Sequence, residues 1–135
     1  MTSPAPKRAQ SDDVERLIAA LGRCQIAAGY PVNEVNDTLQ AVATAFDRPD
    51  LQIYVLPNAV FVDDEVTGRA RIVATETASL RLDQAARVHQ VARQASIAAI
   101  SPAAAIKELE SIEKMPPRFP GWAVVLANGF AAAGF

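Results

Sequence analysis

Val14, Leu17, Ile18, Leu21 and Ala28 recur at the intervals that gather side chains on one face of an α-helix. Asp12 and Glu15 have the spacing of a capping box, and Asp12 and Asp13 suit the positive end of a helix dipole, so the helix is expected to begin at Ser11 or Asp12. Gly29 is a natural C-terminal stop and Pro31 follows it. A second apolar stripe, Val32, Val35, Leu39, Val42 and Phe46, predicts a helix over 32–46. The short Gly29–Pro31 link makes the two an antiparallel pair.

The period then changes from helical to alternating. Leu51, Ile53 and Val55 alternate with Gln52, Tyr54 and Leu56; Pro57-Asn58 is a turn signal, and Val60, Phe61 and Val62 continue the hairpin. After the polar turn 63–68, residues 69–76 alternate again, with Ala70, Ile72 and Ala74 on one face. Asp83 is the expected N-cap of a third helix over 84–100, with Val88, Val91, Ala92, Ala95 and Ala99 inward. Ser101-Pro102 starts a fourth: serine at the N-cap, proline at the first helical position. Pro116-Pro117 ends it, because neither residue can donate the next helical hydrogen bond. The expected fold is of the α+β type. It is a two-layer α/β sandwich with about four helices on one face of a small antiparallel sheet.

Charge divides the chain. All 13 basic and 15 acidic residues lie at or before Arg118. Residues 1–10 carry two prolines and no apolar h-region, so they read as a disordered leader rather than a secretory signal. Residues 11–118 read as the α/β domain, and 119–135 as the start of a first transmembrane helix. From Trp122 to Phe135 the run would reach only about 21 Å of helix, short of the about 30 Å hydrocarbon core. Trp122 stands at the polar-to-apolar junction, with Lys114 and Arg118 just before it, a pattern that keeps the preceding domain on the cytoplasmic side. Small residues Ala127, Gly129, Ala131 and Ala133 suit close helix packing, and Asn128 is a weak candidate for a polar transport path. A buried C-terminal core helix is the competing reading of this segment.

Little catalytic chemistry stands out. The net charge of −2 disfavours a nucleic-acid partner. Cys24 and His89, the only residues of their types, form no metal-ligand spacing. Nothing near Cys24 in the sequence activates its thiol. Asp63, Asp64 and Glu65 could hold a hard cation but read more simply as a solvated turn, and Arg69, Arg71 and Arg81 could meet an anionic group or face solvent. No Gly-rich phosphate loop is present, and no cofactor, metal or catalytic residue is expected.

Three stretches carry a family resemblance: AAGYPVNEVNDTL (27–39), VLPNAVFV (55–62) and LESIEKMPPRFPGW (109–122). In order and spacing they resemble the N-terminal region of threonine/serine exporter (ThrE-like) proteins, from about Leu17 to Phe135. The resemblance implies an inner-membrane secondary exporter of threonine and serine, with this domain facing the cytoplasm. The implied partners are those amino acids, membrane lipids, and further transmembrane helices or a second membrane subunit, with a homo-oligomer left open. Related alternatives are a dicarboxylate exporter subunit or a soluble hydrolase-like domain. Gly29, Pro31, Pro57, Pro116, Pro117 and Trp122 match the family pattern in structural roles. Asn36 is a weak substrate-binding candidate at a position where the family often has glutamate, and Asp47 replaces a glycine usual after the second helix.

Overall fold

The computed structural model describes residues 5–75 and 79–116. Four helices and three strands follow in the expected order: α1 Ala5–Ala27, α2 Val32–Ala45, β1 Gln52–Leu56, β2 Ala59–Asp64, β3 Arg69–Ala74, α3 Leu82–Ser96 and α4 Pro102–Glu113. The strands form an antiparallel meander in the order β1-β2-β3. Helices α1 and α2 pack on the sheet, and α3 and α4 pack on α1 and α2. The fold is α+β, with its core filled from Val14 to Ile112 by side chains of every element.

Helix α1 touches α2, α3, α4, β2 and β3, and Gly22 is what lets it approach so closely. A Cβ there would stand 2.9 Å from both Leu39 Cδ1 on α2 and Val60 Cγ2 on β2. Helix α1 also starts earlier than the capping-box spacing suggests. Ala5–Gln10, expected as a disordered leader, is helical. Pro6 is tolerated because first-turn N–H groups have no intrahelical acceptor. Asp12, well inside the helix, instead binds Arg71, with Oδ1 2.9 Å from Nη2.

The face of β3 is the reverse of the one its alanines suggest. Register pairs Val60 with Val73 and Val62 with Arg71, so Val73 and Arg71 follow the buried β2 residues toward α1. Ile72 is left 63% exposed. Arg71 can face inward because its aliphatic stem covers apolar surface while its head pairs with Asp12. On the outer face, Tyr54, Phe61 and Ile72 lie in one row across the three strands, so the helix-free side of the sheet is apolar too.

Two boundaries of α3 differ from the pattern-based expectation. Its N-cap is Arg81, with Asp83 inside the first turn; Gln84 Oε1 accepts from the Arg81 backbone N–H at 2.9 Å, half of a capping box. Its helix stops at Ser96, because Ala98 turns left-handed at φ 53°. The α4 start is as expected: the Ser101 hydroxyl accepts from Ala104 N–H, with Pro102 at the first helical position. Among the described residues no helix is long and apolar enough to cross a membrane.

Candidate functional site

Helix α1 ends in a Schellman motif. Tyr30 N–H donates to Gln25 C=O and Gly29 N–H to Ile26 C=O, with Gly29 at φ 86°. This turn delivers Tyr30 to α3, where its ring lies parallel to His89, centroids 6.3 Å apart and planes within 2°. Tyr30 Oη and His89 Nδ1 are 3.2 Å apart and share a hydrogen bond. Beside this pair, α2 and α3 frame an open cleft of about 360 Å³. Each helix contributes one stripe at i, i+3, i+4 and i+7. The α2 stripe is Glu34, Asp37, Thr38 and Ala41; the α3 stripe is His89, Ala92, Arg93 and Ser96.

The two walls carry opposite charge. Two carboxylates on α2 face the cleft that Arg93 lines from α3, and none of the three enters an ion pair among the described residues. Gln25, on α1, also lines the cleft. It is 2% exposed, and its Oε1 is buried with no hydrogen-bond partner among the described residues. A buried acceptor without a partner costs about 1–3 kcal/mol, so something must compensate for it or use it.

A second polar cluster lies between α1 and the sheet and ties them together, although Asp64 Oδ2 has an ion-pair contact rather than a hydrogen bond among the described residues. Asp64, wholly buried, accepts from Val66 and Thr67 N–H through Oδ1, and its Oδ2 lies 2.9 Å from Arg48 Nη2. Burial opposes ionisation of Asp64, but hydrogen bonds from Thr67 and the guanidinium of Arg48 outweigh it and hold the carboxyl well below its ordinary range. Glu15, 4% exposed on α1, is pushed the other way by burial, then by its hydrogen bond and charge repulsion with Asp64. Arg48 also binds Ser11 and Asp50, so one guanidinium joins α1, the α2–β1 link and the end of β2.

The residues singled out in the sequence scatter. Asn36 is half-buried on α2 about 200° of helical turn from Glu34, so it does not line the cleft. Gly29 sets the turn that places Tyr30, and Pro31 is the extended N-cap residue of α2. Pro57 sits in the two-residue β1–β2 connection. The Pro116 carbonyl accepts from Arg81 Nη2 at 3.0 Å, tying the start of α3 to the end of α4. Pro117, Trp122 and Asn128, and with them the expected transmembrane segment, lie outside the described residues. Cys24 and His89 do not meet. Cys24 is buried, with Sγ 3.6 Å from Glu113 Oε1, and burial followed by that carboxylate pushes its thiol up to about 12. Among the described residues no cluster of three His, Cys, Asp or Glu side chains forms a metal site; Asp63 and Asp64 belong to β2 rather than to the expected polar turn, and Asp64 is buried.

Gln25 escaped the sequence reading, although a signal was present. It falls seven residues after Ile18 and four after Leu21, which makes it a polar residue inside the apolar stripe of α1. Glu34, Asp37 and Arg93 read singly as solvated helix surface. Only the packing of α2 on α3 brings them to one cleft.

These features define a small α+β domain with a ligand-sized, oppositely charged cleft beside the turn that opens α2. The family model described as "Putative threonine/serine exporter" matches residues 16–135, taking in the cleft, the sheet and the uncharged segment alike. The chain belongs to the threonine/serine exporter family, a family of transporters. No curated protein and no solved structure matches it.

Proposed function

We propose that this chain is the N-terminal, cytoplasm-facing part of an inner-membrane secondary exporter of threonine and serine. The observation that carries the reading is the continuity of the family match, which runs through the folded domain into the apolar residues 119–135. Two features of the sequence support the orientation. Lys114 and Arg118 precede the uncharged stretch, and Trp122 stands at its head. In this reading residues 119–135 begin the first transmembrane helix, and further helices or a second membrane subunit complete the path. Asn36 and Asn128 are the polar groups that this reading offers for substrate contact. The test is efflux of threonine and serine from cells loaded with each amino acid, with and without the gene. Faster efflux with the gene is the expected result. Unchanged amino-acid efflux rejects the assignment, and dicarboxylate efflux in its place would move the chain to that transport class.

A further inference from the structure

The geometry points to the α2–α3 cleft as a recognition site for a free, zwitterionic hydroxy-amino acid, outside the membrane part of the exporter. The choice of hydroxy-amino acids rests on the exporter reading; the site itself rests on the cleft. Its walls supply what a zwitterion needs and what a simple anion or cation does not. Glu34 and Asp37, one turn apart on α2, attract an α-ammonium. Arg93 on α3 offers a planar fork of donors that suits an α-carboxylate. The volume of about 360 Å³ is at the small end of ligand pockets, which run from about 300 Å³.

Gln25 supplies the third point. Its Oε1 is a buried acceptor without a partner among the described residues, so it calls for a donor. The hydroxyl of threonine or serine is such a donor; the methyl of valine, otherwise the same shape, is not. Oε1 is closed to solvent, so contact with a ligand hydroxyl requires the Gln25 amide to turn toward the cleft that it lines. A site that leaves a polar group unpaired without the ligand hydroxyl discriminates strongly against the analogue that lacks it.

The test is a binding titration of the full 135-residue chain in detergent, followed by amide NMR shifts. The probes are L-threonine, L-valine, N-acetyl-L-threonine and L-threonine methyl ester. L-threonine is expected to shift α2 and α3 amides. The other three, each missing the hydroxyl or one of the two charges, are expected to bind at least about tenfold more weakly. R93A and D37N change exposed positions and are expected to keep the parent's thermal melt; each is expected to weaken threonine binding about tenfold or more. Q25L is expected to erase the preference for threonine over valine, with its thermal melt recorded alongside. The proposal is overturned if threonine does not bind, if valine binds equally, or if R93A and D37N bind threonine as the parent chain does. Efflux measured in parallel separates the two readings. Efflux without binding to the cleft rejects this site and leaves the exporter assignment standing, whereas binding without efflux rejects that assignment and leaves the site.

Discussion

At Ala98 the backbone enters the left-handed region, and the hydrogen bonds around it match those at Gly29 and Asp47. In each case the residue after the C-cap donates to a carbonyl three back and the next residue to one five back: Ala98 to Ala95 and Ala99 to Gln94, Asp47 to Thr44 and Arg48 to Ala43. Three helices thus end in one motif whose preferred residue is glycine, and only α1 has it. The glycine that the family resemblance places at position 47 therefore has a backbone reason, and Asp47 tolerates the same geometry better than most L-residues. Ala98→Gly is expected to stabilise the fold by about 0.5–1 kcal/mol, read as a higher urea midpoint, because the left-handed penalty exceeds the entropy glycine adds to the unfolded chain. Gly22→Ala is expected to act oppositely. Alanine improves helix propensity by about 1 kcal/mol, yet its Cβ meets the stiff Val60 side chain and Leu39 in a full core. Overpacking of this kind costs about 1–3 kcal/mol, so a net loss in urea unfolding is the expected outcome.

At the scale of elements, the Glu15–Asp64–Arg48 cluster fixes where α1 lies on the sheet, and its two carboxylates respond to pH with opposite sign. The folded state lowers the Asp64 value, so its contribution is present above the ordinary value of 3.8 and is lost as pH falls through the lower folded value. The folded state raises the Glu15 value, so its favourable contribution is full below 4.5 and is lost as pH rises through the raised value. Asp64→Asn is therefore expected to cost about 3 kcal/mol at neutral pH, the lower end for breaking a buried ion pair, with the difference shrinking in acid. Glu15→Gln keeps a donor toward Asp64 without the charge; it should be more stable than the parent at neutral pH and converge with it toward pH 4. Urea titrations across that range check both, and parallel curves for parent and variants would refute the pairing. The same elements show what the sequence made legible. Their order, the Ser101 cap and the Gly29 stop were readable because each rests on local chemistry. The end of α3 was not, since alanine is the best helix former and nothing in the side chain of Ala98 announces the left-handed conformation it adopts. The face of β3 was misleading because an arginine at position 71 reads as outward until Asp12 is brought to it.

For the whole molecule, the contrast is between the core that residues 14–112 build among the described residues and an uncharged stretch that follows it in the sequence. Helices α1 to α4 bury their stripes against one another and the inner face of the sheet. The candidate site was only half legible at this scale. Its charged residues are ordinary surface residues of two helices, and nothing in the linear order pairs them until α3 returns to α2 after the sheet. The apolar segment, by contrast, is plain from composition alone. If residues 119–135 enter lipid, a chain ended after Pro116 should fold, judged by a cooperative melt, and remain in the supernatant after centrifugation with liposomes. The full 135-residue chain should sediment with the liposomes and resist extraction at alkaline pH. Replacing Val125 and Leu126 with aspartate places two charges in that stretch, each costing about 2.5–3.5 kcal/mol in a bilayer centre, and should return the full chain to the supernatant. Retention of the full chain in solution, with the same melt as the shortened one, would instead mean that the segment finds its apolar partners within the protein, and the membrane assignment would fall with it.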